Sequence, residues 1–289
     1  MKKSVGYYLN CVREKSPLVH NITNYVTVND VANVVLAIGA SPIMSDEPDD
    51  VSDITSICNG LNINIGTLNK RSIEAMHIAG RRANELEHVL LLDPVGAGAS
   101  TLRTNTALNL IKEMKFDVIR GNISEIKTVA TGSGTTKGVD ADSADIVTKD
   151  NLMQMVAFVK NLARELKLIV VVTGAIDLVA NGDKCYVIYN GNPTMSRITG
   201  TGCQLSALIT AFVCAVTADT KGEEKSYIDN EKLEATVAAV CTMGLAGEIA
   251  FERLNEGEGN STYRNKIIDA IYNMTGKALE AGAKYECYE

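Results

Sequence analysis

The chain has no tryptophan and only four phenylalanines in 289 residues. It also lacks a dominant charge sign. Lys and Arg total 28 against 35 Asp and Glu, a formal net charge of −7 with the two signs interspersed. Without a basic stripe, and with few large aromatics, a nucleic-acid surface is disfavoured. The acidic balance suits solubility and does not bear on fold. No Cys-x-x-Cys pair or Cys/His cluster occurs among the seven cysteines, Cys11, Cys58, Cys185, Cys203, Cys214, Cys241 and Cys287. An odd, scattered set argues against a disulfide framework and against a structural zinc site. Reduced thiols in a cytoplasmic protein are the simpler account.

Long hydrophobic runs are missing too. Lys2 and Lys3 near the N-terminus are not followed by an apolar stretch, so no signal peptide is expected. The longest nearly apolar run, Leu205 to Ala218, is shorter than the ~20 residues of a membrane span and reads as a buried helix. There is no internal repeat, low-complexity tract or linker, and one domain over residues 1–289 is expected. Several motifs are absent as well. Gly132-Ser133-Gly134-Thr135-Thr136-Lys137 has a lysine without the Walker A spacing, and no Gly-x-Gly-x-x-Gly follows a strand. The three isolated histidines, His20, His77 and His88, and the lack of a serine nucleophile elbow count against a hydrolase triad or a metal hydrolase.

What is present is an alternation of β-rich and helical segments. Strands are expected at Leu61 to Gly66, Val89 to Pro94, Phe116 to Asn122 and Leu168 to Gly174. Helices are expected at Ser72 to Leu86, Thr104 to Met114, from about Ser124, and at Met153 to Leu166. This rhythm implies a mostly parallel sheet covered by helices. Leu178 to Ala180 and Cys185 to Tyr189 flank Asn181-Gly182-Asp183, a hairpin signal that adds an antiparallel edge. After Thr199 the chain reads as helical, over Gly202 to Val216, Glu231 to Leu254 and Tyr263 to Leu279. Polar connections are expected at Thr220 to Asn230 and Asn255 to Ser261. Gly132 to Asp145 reads as a loop at least in part, and whether it forms a lid stays open.

The most informative motif is Ile198-Thr199-Gly200-Thr201-Gly202-Cys203, which opens directly into Gln204-Leu205-Ser206. Its glycines permit a sharp turn and close approach of a ligand. A helix N-terminus suits an anion, and Cys203 in the first turn would have its thiolate favoured relative to the reference pKa of about 8.5. The plainer alternative is a tight turn capping a core helix. In open parallel sheets, ligands sit beyond the carboxyl ends of the strands. Those ends carry Met44, Asp93, Arg120 with Asn122 and Glu125 just beyond, and Thr173. Carboxylates can hold Mg²⁺ directly or through water, an arginine fork can neutralise phosphate, and an N–H cradle can take developing charge. Each residue has a plainer role open to it. For Asp93 it is the start of a turn at Pro94, for Asn122-x-x-Glu125 a capping box, for Arg120 a surface cation, and for Thr173 a helix cap. Together, on consecutive strand ends, they point to phosphoryl transfer.

These segments resemble the hydroxyethylthiazole kinase family of the ribokinase-like superfamily. The matching stretches are Pro17 to Val26, Pro42 to Ser45, Asn64 to Thr67, Leu92 to Gly98, Ile119 to Ile126, Val172 to Gly174 and Thr199 to Cys203, in that order. The resemblance implies a three-layer α/β/α fold with a mostly parallel central sheet and a helical C-terminal third. It implies ATP-dependent phosphorylation of the hydroxyl of 4-methyl-5-(2-hydroxyethyl)thiazole with Mg²⁺, by a homotrimer with its thiazole site at the subunit interface. Carried over, Met44 and Gly200 would contact the thiazole, with Asn24, Val26 and Gly66 nearby. Arg120 and Thr173 would contact ATP, Asp93 and Glu125 would serve the metal, and Cys203 would stand at the catalytic base. The wider superfamily usually has Asp at that last position. Two other readings remain open. One is a hydroxymethylpyrimidine-type or other vitamin-alcohol kinase, which His20-Asn21-Ile22-Thr23-Asn24 counts against. The other is a non-catalytic thiazole-binding protein, which the intact Asp93, Arg120 and Glu125 count against.

Overall fold

The computed structural model describes residues 3–132, 146–217 and 223–289. A nine-stranded sheet runs through them. Strands β1 (Leu18–Ile22), β2 (Ser41–Met44), β3 (Gly60–Asn64), β4 (Val89–Asp93), β5 (Val118–Asn122) and β6 (Ile169–Thr173) are parallel, in the spatial order β2-β1-β3-β4-β5-β6. The sheet continues antiparallel through β7 (Asp177–Ala180), β8 (Cys185–Ile188) and β9 (Tyr285–Tyr288). Parallel neighbours need crossover connections, and helices supply them on both faces. One face carries α1 (Val5–Lys15), α2 (Val28–Ile38), α8 (Thr201–Thr217), α9 (Lys225–Glu252), α10 (Asn260–Asn273) and α11 (Gly276–Gly282). The other carries α3 (Val51–Ile57), α4 (Lys70–Glu85), α5 (Thr101–Glu113), α6 (Ile123–Thr131) and α7 (Leu152–Leu166).

The side chains of β4 show why the sheet is buried on both sides. Successive residues of a strand point to opposite faces. Val89 and Leu91 pack into the α8 and α9 layer, while Leu90 and Leu92 pack into the α4 and α5 layer. All five residues of this strand, Asp93 included, are buried. Helix α4 illustrates a surface helix. Asn69 and Ser72 form a reciprocal capping box, and Ala75, Met76, Ala79 and Ala83 make its buried stripe. The expected buried helix is α8, whose residues Cys203 to Val216 are all buried. Among the described residues α9 alone is long and apolar enough to cross a membrane, but 89% of its apolar window is buried within the fold.

The structure departs from the sequence reading in the last third. The single helix expected over Tyr263 to Leu279 is two, because the backbone is extended at Met274 and Thr275, and the Thr275 hydroxyl caps the new start by accepting from the Ala278 N–H at 3.1 Å. Helix α9 begins at Lys225 rather than Glu231. Its first turns are polar because they are exposed, not because they form a loop. The chain end is not helical, since β9 pairs with β8. In the N-terminal part, α1, β1, α2 and α3 were not expected from the sequence. Gly132 closes α6 with φ 71°, and the rest of the Gly132 to Asp145 stretch lies outside the described residues.

Leu91 is fully buried at the centre of the sheet. Leu91→Ala is expected to cost about 3 kcal/mol in a denaturant titration, since the helices on that face hold the cavity open. A loss under about 1 kcal/mol would show that this layer is not close-packed.

Candidate active site

Parallel strands deliver all their carboxyl ends to one edge. Their registers set Met44 beside Asn21, Asp93 beside Asn64, and Thr173 beside Asn122. Asp93, at the end of β4, is completely buried. Its Oδ2 accepts from Asn64 Nδ2 at 2.8 Å and from Ser206 Oγ at 2.8 Å. Arg120 Nη1 lies 3.5 Å from both carboxylate oxygens. Burial pushes the Asp93 carboxyl above its usual range, against the pull of Arg120, Ser206 and Asn64.

Arg120 lies at the middle of β5, two residues before the strand end at Asn122, rather than at the end that the sequence suggested. It is not a surface cation, because only 11% of its side chain is exposed. Its Nη2 donates to Thr173 Oγ1 at 2.6 Å, while its Nε is buried with no hydrogen-bond partner among the described residues. The guanidinium lies against the first turn of α8. A Cβ on Gly202 would come within 2.4 Å of Nη1 and 2.5 Å of Nη2, so any side chain there displaces the guanidinium from its present place. Gly200 is required for two reasons. Its φ is +85°, and a Cβ would meet Thr27 Cγ2 at 2.2 Å. The Gln204 N–H donates to the Gly200 carbonyl at 2.9 Å, closing the first turn of α8.

Cys203 lies in that first turn and is buried. Its Sγ accepts from Asn24 Nδ2 at 3.1 Å. The expected thiolate preference is overturned. Burial, then the charge of Asp93, raise the thiol above its ordinary pKa, and Arg120, Thr27 and Asn24 only partly offset them. Desolvation outweighs the helix N-terminus because the sulfur sits inside the protein.

Glu125 fulfils its plainer role in full. Asn122 Oδ1 accepts from the Glu125 N–H at 2.9 Å, and Glu125 Oε2 accepts from the Asn122 N–H at 2.8 Å. Its Oε1 accepts from the Gly96 N–H at 2.7 Å. The same carboxyl is pushed up to about 7 by burial and by the charge of Asp93. Among the described residues no three His, Cys, Asp or Glu side chains cluster to hold a metal. The Asp93 and Glu125 oxygens already accept protein hydrogen bonds, so the pair fits a hydrated cation held through its waters.

Met44 is half-buried and lines a cavity of about 250 Å³ with Asn21, Tyr25, Asn64 and Thr67. Gly200 and Cys203 do not line that cavity, and Val26 is 57% exposed beside it. Gly66 is buried against Asn24 and Asn64. Thr173 caps no helix. It leads into the turn before β7, where the Gly174 N–H donates to Asp177 Oδ1. Sequence reasoning missed Asn64, Thr27 and Ser206 as partners of these groups. Ser206 was legible in principle, since it stands three residues after Cys203 and so on the same side of α8.

The profile described as "Hydroxyethylthiazole kinase family" matches residues 9–277. A hydroxyethylthiazole kinase of Clostridium acetobutylicum is 55% identical over 280 residues, covering 97% of this chain and 98% of that protein. The chain belongs to the hydroxyethylthiazole kinase family. Another member, from Ruminiclostridium cellulolyticum, is 47% identical over 94% of this chain and 93% of its own length. The hydroxyethylthiazole kinase structure from Pyrococcus horikoshii OT3 superimposes with a TM-score of 0.83 at 35% identity, covering 99% of both chains. A pyridoxal kinase from Staphylococcus aureus shares the fold, with a TM-score of 0.58 at 13% identity over 94% of this chain and 97% of its own. The three-layer ribokinase-like architecture is thus that of the family.

Gly202→Ala would force the Arg120 guanidinium out of its place. It is expected to lower stability by about 1–3 kcal/mol, and most of that loss should vanish in an Arg120→Ala background. Equal losses in both backgrounds, by denaturant titration, would show that Arg120 does not set the requirement for glycine.

Proposed function

We propose that the chain transfers the terminal phosphoryl group of ATP to the hydroxyl of 4-methyl-5-(2-hydroxyethyl)thiazole, as a thiamine-salvage enzyme. The observation that carries this reading is the seating of Arg120 against the first turn of α8, which holds Cys203, with Asp93 3.5 Å from its guanidinium. The first N–H groups of a helix have no intrahelical partner and can receive phosphoryl oxygens. Arg120 and Thr173 take the nucleotide phosphates. Met44 and Gly200 contact the thiazole, with Asn24, Val26 and Gly66 around them.

Phosphoryl transfer is largely dissociative, so positioning and charge neutralisation lower most of the barrier. Cys203 orients the hydroxyl and accepts its proton late. The acceptor is the thiolate, which the raised thiol makes less populated but more basic, and a late transfer asks for no early, strong base. Mg²⁺ is the cation that fits Asp93 and Glu125 through water, and when bound it neutralises phosphate charge. The same proposal includes one catalytic domain over residues 1–289, a cytoplasmic location and a homotrimer with the thiazole site at the subunit interface. Support for the trimer comes from Tyr25, 78% exposed, and Val26, which leave apolar surface beside the open cavity. Support for the location comes from the cysteines, all of them free.

An ADP-release assay with ATP and Mg²⁺ is expected to show turnover with the thiazole alcohol and not with hydroxymethylpyrimidine. Turnover with the pyrimidine alone would keep the fold and overturn the substrate. Nucleotide binding without turnover of either alcohol would favour a non-catalytic role. Cys203→Ala should lower kcat about tenfold, less than the ~10²–10⁴-fold of an obligatory general base, and Cys203→Asp should stay active. A folded but inactive Cys203→Asp would refute the proton-acceptor role. Asp93→Ala should raise the Mg²⁺ requirement sharply, and an unchanged Mg²⁺ titration would remove Asp93 from the metal site.

A further inference from the structure

Asn64 has no role in the reading above, yet it joins the two halves of the site. It ends β3, is 1% exposed, and uses both ends of its amide. Its Oδ1 accepts from the Gly66 N–H at 2.9 Å and from Asn24 Nδ2 at 3.1 Å. Its Nδ2 donates to Asp93 Oδ2 at 2.8 Å. A backbone N–H can only donate, so the Gly66 contact fixes which end of the amide is oxygen. The nitrogen then has to face Asp93, which is an acceptor. The orientation of Asn24 follows in turn. Its Nδ2 donates to Asn64 Oδ1 and to Cys203 Sγ at 3.1 Å, and its Oδ1 accepts from the Thr27 hydroxyl at 3.1 Å. A continuous chain of hydrogen bonds therefore links Asp93 through Asn64 and Asn24 to Cys203, with Asn24 donating toward both ends.

We propose that Asn64 is a positioning residue for phosphoryl transfer, holding Asp93 and, through Asn24, Cys203 in one fixed frame. The proposal rests on the kinase reading. Asp93 comes from β4 and Cys203 from α8, and their side chains share no direct hydrogen bond in the structure. Ser206 ties Asp93 to α8 one turn from Cys203, and the three side-chain hydrogen bonds through Asn64 and Asn24 tie it to the sulfur itself. Strands β3 and β4 are paired in register at this point, so Asn64 and Asp93 are fixed by the sheet itself. The frame is anchored in the central parallel sheet, while the thiol it reaches lies on a helix.

Two variants separate the two ends of the amide. Asn64→Ala removes both contacts. Asn64→Asp keeps an acceptor for Gly66 and Asn24 but turns a second oxygen toward Asp93 in place of a donor. Both are expected to cut kcat about 100-fold with KM for ATP unchanged, the size of effect that a misplacement near 1 Å produces. Alkylation of Cys203 by iodoacetamide at pH 8, followed on its own peptide, reads the far end without turnover. The hydrogen bond from Asn24 favours the thiolate, so Asn64→Ala should slow alkylation several-fold while Asn64→Asp matches the wild type. If Asn64→Ala fails to fold, Asn64→Asp still decides. A folded Asn64→Asp with wild-type kcat overturns the proposal, as does Asn64→Ala with unchanged or faster alkylation. Absence of turnover in the wild type would sink the kinase reading instead, and the alkylation comparison would then show by itself whether Asn64 holds Asn24 on Cys203.

Discussion

A carboxylate with no solvent exposure at the end of a central strand is a constraint that the neighbouring structure has to meet. Removing such a charge from water costs several kcal/mol unless donors surround it. Asp93 has Asn64 from β3, Ser206 from α8 and Arg120 from β5 around it. Each of these elements is therefore tied to the same point. Arg120, drawn inward, leaves room beside α8 only for glycine at position 202. The turn that carries Gly202 needs a left-handed residue at Gly200, where Thr27 leaves no space for a side chain. The placement of Cys203 follows from that turn. One buried charge thus bears on the local sequence at three separate segments, β3, β5 and the start of α8.

The fold makes this concentration possible. Parallel strands from β2 to β6 bring their carboxyl ends to one edge, and helices on both faces exclude water from it. Low polarity strengthens the Arg120 and Asp93 attraction and also shifts the nearby groups toward neutrality. Glu125, pushed up to about 7, and the raised Cys203 thiol are two results of the same environment. Phosphoryl transfer tolerates a sparsely populated thiolate as proton acceptor, because its transition state asks mainly for placement and charge neutralisation.

Much of this was legible in the residues. The β-α alternation from Leu61 to Thr173 marked the parallel sheet, and Asn181-Gly182 marked the hairpin. The strand-end positions of Asp93 and Thr173 followed from that topology, whereas Arg120 lies two residues inside the end of β5. What escaped has physical causes. The polar first turns of α9 resemble a loop because no buried face is needed there, and the break at Thr275 depends on a cap that a helical pattern hides. Burial of Cys203 reversed the thiol's expected preference, since the sequence shows a helix start but not the layers packed around it. Asn64 and Thr27 were missed because single polar residues carry no pattern. Their significance appears only when β3, the Asn24 turn and α8 meet.

A crystal structure with the thiazole alcohol and a non-hydrolysable ATP analogue would test the account most directly. The account predicts the alcohol oxygen within about 3 Å of Cys203 Sγ or one bridging water away. It also predicts terminal phosphate oxygens on the N–H groups of Thr201 to Cys203, with Asp93 still held by Asn64 and Ser206. An alcohol seated wholly within the Met44 cavity, with its hydroxyl directed away from Cys203 and the α8 turn empty of phosphate, would contradict it.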